Sequence, residues 1–189
     1  MGKTTIFESN NMKTTSQYFL IALCILVNIH HSIAQNTSIR IQEIKKMYAE
    51  AIDLEKQGSI KCKSEKKTAY DKPYTEPFEH TVKKCEYNNG YTILKGNFPL
   101  HESGETYVYY FKNNQLFFVL CTNGAECCNQ EDRLYFDAKG NIIKILERNN
   151  NCDCNAELGS NTDVTDKTYK KEIKDKAMSR LKEIRTMLK

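Results

Sequence analysis

The sequence predicts an α+β domain: an N-terminal helix, an antiparallel β-meander of about six strands, and a C-terminal helix. Three observations carry this. Apolar residues recur at three to four residue spacing near both ends of the folded part. Between those ends the period switches to two. Short Asn-, Gly- and Asp-bearing turns join the alternating segments, and turns that short make neighbouring strands antiparallel.

Ahead of these elements, residues 1–34 read as an export signal, leaving a single domain over 35–189. The apolar run from Tyr18 to Ile29 is shorter than the roughly 20 residues a transmembrane helix needs, and Ser32-Ile33-Ala34 places small residues before a cut at Gln35. Met12-Lys13, directly before the run, resembles a bacterial signal start, so the start codon is either Met1 or Met12. A lipoprotein would use Cys24, but Leu23 precedes it where a small residue is expected. Myristoylation would need Ser or Thr where Ile6 stands. The product is then exported, periplasmic or secreted, with no stable membrane span after cleavage.

From Ile41 onward Ile44, Tyr48, Ala51, Ile52 and Leu54 form the first amphipathic face, ending at Gly58. Strands follow near 78–87, 91–97, 105–112, 115–121, 132–137 and 141–148. The turns fall at Asn88-Asn89-Gly90, Lys112-Asn113-Asn114 and Asp137-Ala138-Lys139-Gly140. The last helix carries Tyr169, Ile173, Ala177, Leu181, Ile184 and Leu188 on one face, with Asp166 as its N-cap candidate. Its basic side, interspersed with Glu172, Asp175 and Glu183, reads as a solvated face. The formal charge of +4, about +3 after signal removal, is too weak a bias to imply nucleic acid.

Both sheet faces are apolar in this reading. Tyr107, Tyr109 and Phe111 point one way and Val108 and Tyr110 the other; Leu116, Phe118 and Leu120 oppose Phe117, Val119 and Cys121. Either the helices cover opposite faces, or one aromatic face stays open for recognition, with Tyr107, Tyr109 and Phe117 as its leading contributors.

The segments YYFKNNQLFFVL and LYFDAKGNIIKIL repeat one hairpin pattern at a spacing of about 25 residues. With a helix before and after, residues 105–148 resemble the hairpins of small exported bacterial domains of uncharacterised function, in which aromatic strands flank an Asn-Gly-type turn. The resemblance implies an exported domain and brings no catalytic residues.

Removing Cys24 leaves Cys62, Cys85, Cys121, Cys127, Cys128, Cys152 and Cys154, an odd number in an oxidising compartment. Cys62 and Cys85 make the natural first pair. The other five cluster at strand ends that a meander brings together, and their connectivity stays open. Adjacent cysteines bridge each other only with strain, so Cys127-Cys128 seek separate partners, and that pair is the expected location of the one free thiol. The alternative is a cysteine-based metal-binding or thiol-redox protein. Structural zinc favours C-x₂₋₄-C and a thioredoxin-like centre C-x-x-C, whereas this chain offers a vicinal pair and C-x-C.

Catalytic equipment is sparse. After the signal only His80 and His101 remain, no nucleophile-elbow, zincin or phosphate-loop motif occurs, and residues 137–141 lack the oxygen ligands of a calcium loop. The expectation is no catalytic residues, no cofactor and no metal. The function expected is an exported, non-enzymatic binding or envelope-associated domain, stapled by disulfides, whose partner is a cell-envelope protein or glycan.

Overall fold

The computed structural model describes residues 36–58, 61–70 and 77–189. Residues Ile41–Lys189 form one compact unit; of the other, Met1–Arg40, only 36–40 are described. The export segment, the cut after Ala34, Cys24 and the choice between Met1 and Met12 lie outside the described residues.

Helix α1 runs over 36–57. The strands are β1 (Lys61–Tyr70), β2 (Pro77–Glu86), β3 (Tyr91–Pro99), β4 (Ser103–Lys112), β5 (Gln115–Ala125), β6 (Cys128–Phe136), β7 (Ile142–Asn149) and β8 (Thr162–Asp163), followed by α2 (Lys167–Met187). All eight strands pair antiparallel with their sequence neighbours, β1 to β8 in order. The class is the predicted α+β meander, with eight strands where about six were expected.

The two extra strands lack the signal that revealed the others. β1 alternates nothing apolar: Lys61, Lys63, Lys66 and Lys67 leave it exposed along most of its length. Its register comes from β2, with Cys62 directly opposite Cys85 and bridged to it. β8 is two residues long and exposed, a short edge of the kind that discourages further strand addition.

Turn chemistry sets the hairpins. Asn113 and Asn114 both take positive φ (50° and 64°) between the paired Lys112 and Gln115, as a type I′ turn requires. Asp137 Oδ1 accepts from the backbone N–H of Lys139 and of Asn141, both at 2.8 Å, so the 137–141 segment is an Asx-type turn closed by Gly140 at φ 81°. Asp166 caps α2 by accepting from the Tyr169 N–H at 2.7 Å.

Each helix covers one sheet face. Ile173, Ala177, Leu181 and Ile184 of α2 pack on Val82, Leu94, Phe98, Tyr107, Tyr109 and Phe111. Ile44 and Ala51 of α1 pack on Tyr87, Tyr91, Ile93, Tyr110, Phe118 and Tyr135, with Tyr48 edge-on to Tyr110 at 5.1 Å. Both faces are apolar because both are covered. At Gly96 a Cβ would lie 2.6 Å from Ile184 Cδ1, so the absent side chain is what lets α2 seat on β3.

Of the two alternatives the covered one holds, and the open aromatic recognition face is not formed. Tyr107, Tyr109 and Phe117 are 2%, 0% and 1% exposed. They do not share a face either: the first two lie under α2 and Phe117 on the α1 side. A β-bulge causes the split, since Tyr110 pairs with Phe118 and Phe111 with Leu116, leaving Phe117 as the extra residue. Leu116 joins the α2 side, while Phe117 and Phe118 both face α1, against the strict alternation expected. The second hairpin bulges at the matching place: Tyr135 pairs with Lys144, Phe136 with Ile142, and Ile143 is extra. The sequence repeat thus reaches down to an irregularity of the backbone.

Candidate functional site

Three disulfides form among the described residues: Cys62–Cys85, Cys127–Cys154 and Cys128–Cys152. The vicinal cysteines take separate partners, as steric reasoning required. The free thiol is not one of them. Among the described residues it is Cys121, which is buried. Cys121 lies on the α2 face of β5, opposite Asp132 in register.

The two neighbouring bridges tie the β5–β6 turn to the loop after β7. Asn150 completes the tie from inside. Its Nδ2 donates to the carbonyls of Cys127 (2.7 Å) and Asp153 (2.9 Å), and its Oδ1 accepts from the Asn129 N–H (2.8 Å). Asn151 and Cys152 hold positive φ (51° and 59°), a cost that the bridge and these hydrogen bonds offset.

Beside this clasp opens a cleft of about 440 Å³, walled by Ser103 to Glu105 of β4, Asn123 of β5, Asn129 and Gln130 of β6, Asn149, Asn150 and Asn151, and Lys176 of α2. A smaller cavity of about 230 Å³ shares Asn123, Gln130 and Lys176 with it and runs under α2, reaching Tyr107, Cys121, Asp132, Tyr169 and Glu172. At their junction Asn123 Oδ1 is buried and has no hydrogen-bond partner among the described residues. Such an acceptor is costly unless something donates to it.

Charge in the cavity is closely managed. Glu105 is ion-paired to Lys176 and, at 3.0 Å, to Arg180 Nη2. Burial opposes its ionisation, but hydrogen bonds from both cations hold it below the usual carboxylate range. Asp132 has no ion pair among the described residues, and the Lys176 charge only partly favours its ionised form. Burial pushes its pKa up to about 6, against hydrogen bonds from Gln130 Nε2 to both carboxylate oxygens (3.1 and 3.3 Å), with Glu147 adding to the rise. Gln130 Nε2 also donates to the Tyr169 hydroxyl at 2.7 Å. Burial, then the Asp132 and Glu105 charges, push the Cys121 thiol well up, so it is held protonated rather than as a nucleophilic thiolate.

Asp132→Asn tests this balance. A carboxyl whose folded pKa is raised lends its stability below the unfolded value of about 3.9 and loses it as pH rises through about 6. The variant is expected to match the wild type in urea unfolding near pH 3.5 and to exceed it by about 1–2 kcal/mol at pH 7.5, a figure reduced for partial solvent screening. Equal stability at pH 7.5 would mean that Asp132 carries no such penalty.

Neither histidine lines these cavities. His80 is buried edge-on to Phe98 and 3.8 Å from Glu183; burial lowers its pKa. His101 lies beside Glu102 at 3.7 Å. No group of three or more His, Cys, Asp or Glu residues placed to hold a metal ion occurs among the described residues. With six of the seven cysteines bridged, the cleft offers amides, the Ser103 hydroxyl and the Glu105–Lys176 ion pair, a set suited to hydrogen-bonding a polar ligand.

Sequence reasoning reached the cysteines of this end and missed the amides. A signal was present: Asn129-Gln130 follows Cys127-Cys128 directly, and Asn149-Asn150-Asn151 precedes Cys152, so any bridge between the two cysteine groups converges the amides. Compared with protein families, curated proteins and solved structures, the chain matches none.

Proposed function

We propose that the chain is an exported, non-enzymatic binding domain of the bacterial envelope, akin to the small exported domains its hairpins resemble, and that it holds a hydroxyl-rich ligand, a cell-envelope glycan, in the amide-lined cleft. One observation carries this reading: a cleft of about 440 Å³ whose Asn and Gln walls are fixed by two disulfides and the Asn150 tie. Side-chain amides offer a donor and an acceptor together, the pattern that sugar hydroxyls match, and a wall already rigid loses little entropy on binding. Three bridges favour an oxidising compartment. Among the described residues no helix is long and apolar enough to cross a membrane. Among the described residues the one unbridged thiol is buried and protonated, which supports binding over catalysis.

The test is a titration with oligosaccharide fragments of envelope glycans, followed through the side-chain NH₂ signals of Asn123, Asn129, Gln130, Asn149 and Asn151. These signals are expected to shift together and saturate, and Asn123→Ala to weaken binding by about tenfold. Unmoved signals across the panel would remove the ligand assignment. Cleavage of the added saccharide would remove the non-enzymatic one.

A further inference from the structure

At the opposite edge of the sheet the register assembles a second polar surface. Lys83 of β2 stands directly across from Lys95 of β3, and Lys66 of β1 directly across from Thr81 in the adjacent row. By strand alternation all three lysines point to the α1 side, where Cys85 and Ile93 also point, and all three are exposed. Like charges directly opposed on neighbouring strands are unfavourable. Neither Lys83 nor Lys95 has a carboxylate partner among the ion pairs of the described residues. Lys66 is paired with Glu79 at 2.7 Å, and Glu65 leans to Lys63 at 3.5 Å.

Between the lysines lies a depression of about 300 Å³ that also takes in Ser64, Thr81 and Asn97, with Glu65, held by Lys63, and Val82 at its margin. Asn97 Oδ1 already accepts from the Thr106 hydroxyl at 3.1 Å, which leaves its amide N–H groups as donors. The surface therefore combines two unpaired ammonium groups, a third shared one, an amide donor and two hydroxyls. Tyr70, on the same face of β1, is 68% exposed, the most exposed of the large hydrophobic side chains among the described residues.

We propose that Lys66, Lys83 and Lys95, with Asn97 and Thr81, form a binding site for the phosphate or sulfate groups of an acidic polysaccharide, with Tyr70 as a stacking platform for a sugar ring. The lysines span three strands, about 10 Å, which suits successive charges on a polymer better than one small anion. The hydroxyl and amide donors between them suit saccharide oxygens. Tyr70, four residues from Lys66 along the same face of β1 and so about 13 Å away, adds an apolar face for a sugar farther along the polymer. This site is separate in the sheet from the amide-lined cleft, and its test does not depend on that reading.

The experiment measures binding of the purified protein to heparin as the sulfated polysaccharide probe, with neutral dextran, inorganic phosphate and phosphatidylglycerol vesicles as parallel arms. Heparin is expected to bind with an affinity that falls steeply with added salt, by a log–log slope of about −2 for two to three released counterions. The double variant Lys83→Ala/Lys95→Ala is expected to lose about tenfold or more, and Tyr70→Ala to weaken binding without changing the salt slope. Lys167→Ala/Lys171→Ala, removing two exposed charges from α2, is the control for net charge and should bind as the wild type does. Equal losses in both double variants would overturn the site. So would saturation by inorganic phosphate alone at matching affinity, or binding to the vesicles with none to heparin.

Discussion

Truncating Tyr109 to alanine is expected to cost about 3–5 kcal/mol, the scale of large aromatic deletions from a packed core. Tyr109 has no exposed surface. It stands across from Leu94 of β3 and Val119 of β5, stacks on Tyr107 at 6.2 Å, and donates its hydroxyl to the Ala177 carbonyl of α2 at 2.6 Å. The residue thus joins the middle of the sheet to the middle of the helix. Urea unfolding should show the loss as a lower midpoint at unchanged slope. Tyr109→Phe keeps the ring and removes the hydroxyl bond, and should cost about 1 kcal/mol. A loss below about 1 kcal/mol for the alanine variant would mean that α2 is not held on this face.

Removing both bridges at the cleft end should cost about 5 kcal/mol, more than the sum of the single losses, since removing either one should cost only about 1–2. The bridges are nested: Cys127–Cys154 encloses Cys128–Cys152, with sequence separations of 27 and 24. Once one is closed, the other closes a ring of only a few residues, and the entropy it takes from the unfolded chain is correspondingly small. Replacing the cysteines by serine in bonded pairs, then all four together, separates the terms in urea unfolding. A single pair costing as much as all four would mean that the second bridge adds nothing. Strictly additive losses would mean that the bridges act through native contacts rather than loop closure.

The helices and the six inner strands were legible because each buries a periodic apolar face: every third or fourth residue in α2, every second in β4. β1 was not legible, since a lysine-rich edge strand buries almost nothing and takes its register from β2 and one bridge. The bulge at Phe117 was also invisible. Leu116, Phe117 and Phe118 form a continuous apolar run, and which of them is extra depends on how the β4 partner and the two helix faces are filled.

The candidate site shows the same division. Cysteine count and clustering already pointed to a stapled sheet end, and the pairing of Cys62 with Cys85 follows from their position in the chain. The free thiol was expected at Cys127-Cys128 on local strain, but each of those two reaches a partner across the end of the sheet, which leaves Cys121, fixed by strand alternation under α2, without one. The sequence alone determined the class and the order of the two helices and six inner strands, and set a ceiling of three bridges, because these follow from local periodicity and from the cysteine count. Only the tertiary structure decided that both aromatic faces are covered, that among the described residues Asp132 is buried without an ion pair and Asn123 presents an unpartnered oxygen, and that Lys83 faces Lys95. Each depends on which residues stand opposite one another across the sheet, and that register is set by packing both faces at once.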